Sequence, residues 1–148
     1  MGYEEKLLNI CKQYNIIFIY VSTKDEPDTH KIIKELLKEK KVIVPKIKDN
    51  EIIPIVLKSF IDLKKGTFGI LEPIANESIQ KQDIDLFIIS GVHFDLKGNR
   101  KGHGFGYFDR FLKDVKAKKI GLCFNSQIKE LSPKPWDIPV DEVIIVDE

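Results

Sequence analysis

The sequence of 148 residues lacks a long hydrophobic run and an excess of charge of either sign. Its longest apolar stretch, Ile16 to Val21, is far too short to cross a bilayer, and no signal-peptide pattern opens the chain. Because 24 basic residues nearly balance 23 acidic ones, the formal net charge of +1 gives no reason to expect binding to nucleic acid or to an anionic membrane. We therefore expect a cytoplasmic protein with no nucleic-acid partner and no membrane partner.

Cysteine and arginine are also scarce. Cys11 and Cys123 lie far apart and form no CxxC pair, so a metal-binding or redox motif of that kind is excluded. A disulfide between them is one alternative, but buried free thiols fit an intracellular chain better. Nearly all basic residues are lysines, and Arg100 and Arg110 are the two arginines.

The chain has enough apolar material for one domain with its own core. Hydrophobic residues make up 43% of the sequence, and no repeat or low-complexity linker divides it. A domain of this size buries roughly two thirds of the surface that its unfolded chain exposes. We expect a single domain over residues 1–148.

Helix-like and strand-like patterns alternate along the chain. The first segment repeats apolar residues at the spacing of one helix face, whereas Ile16 to Val21 is a continuous run typical of a strand buried on both faces. Asp28 is the predicted N-cap of a second helix, whose buried side contains Ile33, Leu36 and Leu37. The predicted helices cover residues 3–14, the segment after Asp28, and about 107–115. The predicted strands cover residues 16–21, 41–47, 51–57, 84–90, 119–124 and 143–146.

This alternation predicts an α/β fold with three layers, in which a mostly parallel, open, Rossmann-like sheet has helices on both faces. In such folds ligands bind at the carboxyl ends of the strands. The loops expected at that edge cover residues 22–28, 91–106 and 125–127.

A glycine-rich loop is the most informative segment. Gly102, Gly104 and Gly106 alternate directly before a predicted helix, where backbone N–H groups can converge on an anion, and Arg100 and Lys101 add positive charge. The loop matches neither the Walker pattern nor the Rossmann glycine spacing. Considered alone, it is either a phosphate-binding loop or a tight turn that packs a helix against a strand.

Four motifs in order resemble the 5-formyltetrahydrofolate cyclo-ligase family, also called methenyltetrahydrofolate synthetases. The main motif is Gly-x-Gly-x-Gly-Tyr-Phe-Asp-Arg at residues 102–110, preceded by Phe-Asp-x-x-Gly-x-Arg. Supporting stretches are Asp25 to Thr29, Phe68 to Pro73 and Trp136 to Asp141. The resemblance covers roughly residues 16–146.

The resemblance implies an ATP- and Mg²⁺-dependent enzyme that converts 5-formyltetrahydrofolate into 5,10-methenyltetrahydrofolate. ATP phosphorylates the formyl oxygen, the folate nitrogen at position ten attacks the formyl carbon, and phosphate leaves. Such chemistry depends on positioning and charge neutralisation more than on a strong base. The absence of a Ser-His-Asp or Cys-His pattern agrees with this expectation.

The resemblance also assigns roles to individual residues. Mg²⁺ is expected at Asp109 and Asp137, the folate at Glu26 and at residues 103–107, and catalytic contacts at Arg100 and Tyr107. The expected ATP-binding residues are Arg100, Lys101, Gly102, His103, Gly104, Phe105, Gly106, Tyr107 and Phe108. The expected folate contacts in the loop are His103, Gly104, Phe105, Gly106 and Tyr107.

Each assignment has a structural alternative. Asp109 would also favour the start of a helix, Asp137 would also form a turn, and Glu26 would also serve as a loop residue. Trp136 suits either stacking on a ligand or a place in the core. We expect His103 to act through its backbone more than through its ring.

Two departures from the family pattern leave other functions open. Relatives usually begin with a basic helix that reaches ATP and folate, whereas the first predicted helix here matches their second helical stretch, with Lys6 and Lys12 on its polar face. Phe105 stands where many relatives have glycine or a basic residue. We expect weaker ATP binding as a result. The alternatives are a nucleotide- or folate-binding homologue that has lost the ligase reaction, and an ATP-dependent enzyme for another pterin carrier. An oligomer is also left open.

Overall fold

The computed structural model describes residues 2–148. A six-stranded sheet with three helices forms the body of the protein, and two small hairpins extend from it. In chain order the elements are α1 (Tyr3–Cys11), β1 (Ile16–Ile19), α2 (His30–Leu36), β2 (Lys41–Lys48), β3 (Glu51–Leu57), β4 (Leu63–Lys65), β5 (Leu71–Pro73), β6 (Leu86–Ile89), β7 (His93–Phe94), β8 (Arg100–Lys101), α3 (Tyr107–Leu112), β9 (Lys118–Phe124) and β10 (Glu142–Val146).

The main sheet has the strand order β10-β9-β6-β1-β2-β3. Its first five strands are parallel to one another, and β3 returns antiparallel to β2 through a tight turn. In the centre, Phe18 of β1 pairs with Ile43 of β2 on one side and with Phe87 of β6 on the other. The small hairpins are β4 with β5 and β7 with β8.

Side chains of β1 alternate between two cores. Ile17 and Ile19 lie in a core with Leu7 of α1 and Ile33 of α2, whereas Phe18 packs on the opposite face, with its ring centroid 5.1 Å from that of Phe111 in α3. Strands buried on both faces explain the continuous apolar runs of the sequence. The predicted α/β fold with helices on both faces is therefore confirmed.

Two helices are shorter than predicted. The prediction extended the first helix to Tyr14, but α1 ends at Cys11 because the N–H of Tyr14 donates to the carbonyl of Cys11 in a closing turn. The prediction extended the third helix to Val115, but α3 ends at Leu112, and Asp114 has a left-handed backbone with φ of 65°. Apolar periodicity continues past both ends, so it overestimated their lengths.

The start of α2 also differs. Thr29, not Asp28, occupies the N-cap position, although the Asp28 carboxylate accepts the N–H of His30 at 2.9 Å. Leu37 is only partly buried, and Ile32 takes part in the buried face instead. The first strand is also shorter than predicted. The prediction extended it to Val21, but β1 ends at Ile19, and Tyr20 and Val21 are buried beyond the end of the strand.

Both cysteines are free and completely buried. Cys11 lies in the core under α1, whereas Cys123 lies in the core on the α3 side of the sheet. The disulfide alternative is therefore wrong, and the prediction of buried thiols is confirmed. Burial raises the pKa of each thiol to about 11. Within residues 2–148 none of the helices has the length and apolar character needed to span a membrane.

Candidate active site

A cavity of about 1090 Å³ opens at the carboxyl ends of β1 and β6. The three loops that the sequence placed at this edge all contribute to its lining: Glu26 from the first, the glycine loop from the second and Gln127 from the third. Gln127 is also structural, because its side-chain amide donates to the carbonyls of Gly91 and Val92 at 2.8 and 3.2 Å. The parallel strands therefore bring distant segments of sequence to one cavity.

The β7–β8 hairpin positions Arg100, the first residue of β8, just before the glycine loop. Its turn is closed by Asp95, whose carboxylate accepts N–H groups from Lys97 and Asn99 and the side-chain amide of Asn99, at 2.8–3.0 Å. Burial raises the pKa of Asp95, but these hydrogen bonds outweigh it and leave the pKa below its ordinary value. With its oxygens engaged by the turn, Asp95 has a structural role and fixes the start of β8.

Arg100 follows that turn and is 9% exposed. Its Nε donates to the carbonyl of Ser90 at 2.6 Å, and its guanidinium carbon lies 4.8 Å from the centre of the Phe108 ring. Burial lowers the pKa of Arg100 to about 10, and the neighbouring carboxylates, Asp109 foremost, oppose that shift. The side chain stays cationic at neutral pH, so the cavity has a fixed positive charge.

The glycine loop has a left-handed backbone at Gly104 and Gly106, with φ of 95° and 70°. Other residues rarely adopt such angles, so these two positions explain the alternating glycines. Gly106 is the N-cap of α3, which has only six residues, so the loop N–H groups matter more than a helix dipole. All expected ATP-binding residues line the cavity: Arg100, Lys101, Gly102, His103, Gly104, Phe105, Gly106, Tyr107 and Phe108.

Asp109 and Asp137 both line the cavity although they are distant in sequence. Asp109 accepts the N–H of Ile138 at 3.0 Å through Oδ1, and Asp137 accepts the N–H of Lys134 at 2.9 Å through Oδ2. Each bond orients the carboxylate through one oxygen, and no hydrogen bond within residues 2–148 occupies the other oxygen. Within residues 2–148 no cluster of three or more potential metal ligands occurs. Two carboxylates fit Mg²⁺ that takes its remaining ligands from water and substrate phosphates.

Glu26 uses one carboxylate oxygen in a structural contact. Its Oε1 accepts the N–H of Thr23 at 2.9 Å, which closes the loop after β1, and the half-buried carboxylate lines the cavity. Below it, the hydroxyl of the buried Tyr20 donates to the carbonyl of Pro27 at 2.8 Å. The loop is therefore held in place, and within the part of the chain that the structure describes no hydrogen bond occupies Oε2 of Glu26.

Aromatic side chains cover part of the cavity. Phe68 and Phe105 stack with ring centres 5.4 Å apart and an interplanar angle of 23°, and Tyr107 lies 5.6 Å from Phe105. Phe68 and Phe105 are 62% and 53% exposed, as expected for rings that present a face to a ligand. Trp136 is 66% exposed, so the alternative of a core tryptophan is wrong.

Sequence analysis assigned no role to Phe68 or Glu72, nor to two of the lysines at the cavity, Lys129 and Lys134. Glu72 accepts the N–H of Ile47 at 2.9 Å and supports the segment that carries Phe68. Both residues belong to the motif at 68–73, which was the available signal. Lys129 and Lys134 line the cavity and add positive charge near the carboxylates, and only their charge marked them in the sequence.

Lys6 of α1 and Lys12, which directly follows α1, do not line this cavity. Lys6 and Lys12 are exposed and are not among the described residues that line the cavity. The carbonyl of Lys12 accepts Nζ of Lys40, next to the start of β2, so this residue lies at the amino-end edge of the sheet. Lys12 is therefore not positioned to contact a ligand in the cavity.

Comparison with known proteins gives the family. A family model described as the 5-formyltetrahydrofolate cyclo-ligase family matches residues 3–146. The 5-formyltetrahydrofolate cyclo-ligase of Mus musculus is 32% identical over 148 aligned residues, which cover 88% of this chain and 73% of the mouse protein. The enzyme of that name from Haemophilus influenzae is 29% identical, over 93% of this chain and 80% of its own length.

A solved structure agrees with the family model and with the two relatives. The 5,10-methenyltetrahydrofolate synthetase of Aquifex aeolicus superposes with a TM-score of 0.81 at 38% sequence identity, over 96% of this chain and 77% of that chain. The fold, the motifs around the cavity and these likenesses lead to one conclusion: the chain belongs to the 5-formyltetrahydrofolate cyclo-ligase family.

Proposed function

We propose that this protein converts 5-formyltetrahydrofolate into 5,10-methenyltetrahydrofolate, with ATP as co-substrate and Mg²⁺ at Asp109 and Asp137. The observation that carries the proposal is the meeting of a buried cation, two carboxylates and a glycine loop in one cavity, with Glu26 at its border. A binder of folate alone has little use for paired carboxylates beside a cationic loop. The family's reaction requires both the paired carboxylates and the cationic loop.

The proposed reaction has two steps. The formyl oxygen attacks the γ-phosphorus of ATP, ADP leaves, and the formyl carbon becomes an imino-phosphate. The nitrogen at position ten then attacks that carbon and loses its proton, and the C–O bond breaks to release phosphate that contains the formyl oxygen. The charge that the protein must neutralise therefore lies on the transferred phosphoryl group.

We assign the neutralisation to Arg100 and the glycine loop. Arg100 is held by the carbonyl of Ser90 and by the ring of Phe108, so its charge is already oriented before the substrates bind. Backbone N–H groups of the loop supply further donors to phosphate oxygens. Lys101 and His103 are exposed at the same rim, and the backbone of His103 belongs to the loop.

Mg²⁺ bound at Asp109 and Asp137 would supply a Lewis acid that neutralises negative charge on the phosphates. The chain's own contribution is to fix these two carboxylates through the N–H groups of Ile138 and Lys134. The second oxygen of each carboxylate would then be available to hold the ion.

We assign the orientation of the bound folate to Glu26 and the aromatic residues. A carboxylate that accepts N–H groups of the pterin ring makes a charge-assisted contact and fixes the ring in one orientation. Tyr107 borders both the glycine loop and the stacked pair Phe68 and Phe105, so it lies where the two substrates meet. The aromatic faces also exclude water from the activated intermediate.

The experiment is an absorbance assay for the methenyl product with purified protein, run with ATP and Mg²⁺, without ATP, and without Mg²⁺. We expect product only in the complete mixture. Binding of both substrates without product would instead identify a homologue that has lost the reaction. ATP hydrolysis that needs a different reduced pterin would identify another pterin carrier as the substrate.

A further inference from the structure

Arg110 makes contacts that its place in the sequence motif does not explain. It follows Asp109 in α3 but lines a separate, smaller cavity of about 510 Å³, together with Glu51 and Tyr107. Its Nη1 donates to the carbonyl of Phe105 at 2.6 Å, and its Nη2 donates to the carbonyl of Asn50 at 2.8 Å. One guanidinium thus joins the glycine loop to a segment 60 residues away.

The segment that contains Asn50 is the tight turn between β2 and β3. Lys48 of β2 pairs with Glu51 of β3, and the two residues between them, Asp49 and Asn50, both have left-handed backbones with φ of 51° and 63°. Two consecutive left-handed residues form the tight turn that matches the twist of a hairpin. The carbonyl of Asn50 is therefore fixed by the main sheet, and Arg110 transfers that fixed position to the loop.

The bond to Phe105 sets the direction of one peptide group. In a planar trans peptide the C=O and N–H groups point in opposite directions. With the carbonyl of Phe105 held by Arg110, the N–H of Gly106 points away from the guanidinium. A Cβ on Gly106 would lie 2.9 Å from Nη1, so the backbone and the guanidinium are in close contact.

We propose that Arg110 is a positioning residue that holds the Phe105–Gly106 peptide so that its N–H faces the phosphates of ATP. The inference rests on the proposed function and assigns no ligand contact to Arg110 itself. Free loop peptides would rotate, and each N–H group would have to be ordered when the nucleotide binds. The Arg110 bridge orders the peptide before binding.

Arg110→Ala, Arg110→Lys and the control Lys113→Ala test this role. Lys113 is an exposed residue at the end of the same helix and has no part in the cavity. Calorimetry with Mg²⁺ and ATP should show about ten- to hundredfold weaker binding for Arg110→Ala, as expected when charged hydrogen bonds are lost. Arg110→Lys should recover part of the affinity, because one ammonium replaces one of two bonds. Lys113→Ala should bind like the unchanged protein.

A second readout separates positioning from stability. A guanidinium salt, kept below the concentration that lowers the Tm, should restore ATP affinity in Arg110→Ala alone. Unchanged ATP affinity in folded Arg110→Ala, with turnover intact, would overturn the inference and leave the proposed function standing. If the unchanged protein itself does not bind ATP, the proposed function fails and the inference with it.

Discussion

Replacing Arg100 by lysine keeps a positive charge in the cavity but removes the planar guanidinium. The Nε–H group that donates to the carbonyl of Ser90 at 2.6 Å is lost, and so is the flat face 4.8 Å from the centre of the Phe108 ring. A hydrogen bond to a charged group contributes about 1.5–3 kcal/mol. An ammonium group is also more strongly hydrated than guanidinium and is therefore harder to bury at a site that is 9% exposed.

We therefore expect the free energy of unfolding of Arg100→Lys to fall by about 1.5–3 kcal/mol. For a domain of this size that corresponds to a decrease in Tm of roughly 3–12 °C. Because the displaced charge no longer points where the phosphates bind, ATP affinity should fall by about tenfold or more, each factor of ten being about 1.4 kcal/mol. The measurements are calorimetric unfolding and ATP titration in the presence of Mg²⁺.

The control for Arg100→Lys is Lys113→Arg at the exposed residue that directly follows α3, which should leave both quantities unchanged. Unaltered Tm and unaltered ATP affinity in Arg100→Lys would refute the account of a fixed, oriented guanidinium. A loss of stability with full ATP affinity would show that Arg100 serves only the β7–β8 hairpin.

Three further expectations concern other groups. Asp109→Asn and Asp137→Asn should each reduce turnover strongly and raise the Mg²⁺ concentration needed for half-maximal rate, with little change in Tm; equal activity at low Mg²⁺ would remove that residue from the metal site. Glu26→Gln should weaken folate binding roughly ten- to hundredfold and spare ATP, and an equal loss of ATP affinity in titrations would make Glu26 a purely structural loop residue. Since burial raises the pKa of the Cys11 and Cys123 thiols to about 11, neither should react with a disulfide reagent at pH 8 until denaturant unfolds the chain; rapid reaction in the native state would contradict the burial of both thiols.

Much of the fold could be predicted because the signal was local. The run from Ile16 fits a strand covered on both faces, and β3 was predicted with its observed ends, Glu51 and Leu57. Helix ends were harder to predict. Val115 is buried and extends the apolar pattern of α3, but the non-helical backbone at Lys113, followed by the left-handed backbone at Asp114, ends the helix before it.

The site also has a part that could be predicted from the sequence and a part that could not. The sequence motif and the resemblance placed Asp109 and Asp137 together, and the structure shows that both line the same cavity. The stack of Phe68 on Phe105 and the bridge from Arg110 to Asn50 join segments that are tens of residues apart. No periodicity or spacing encodes such contacts, so only the tertiary structure reveals them. The cytoplasmic location and the single domain stay predictions.

The most direct test of the central claim follows the formyl oxygen. If ATP phosphorylates that oxygen in the cavity around Arg100, 5-formyltetrahydrofolate labelled with ¹⁸O in the formyl group must transfer its label to phosphate. Mass spectrometry of the phosphate released by purified protein with ATP and Mg²⁺ should show one ¹⁸O per methenyl product formed. Unlabelled phosphate, with the label recovered in water, would contradict the proposed reaction.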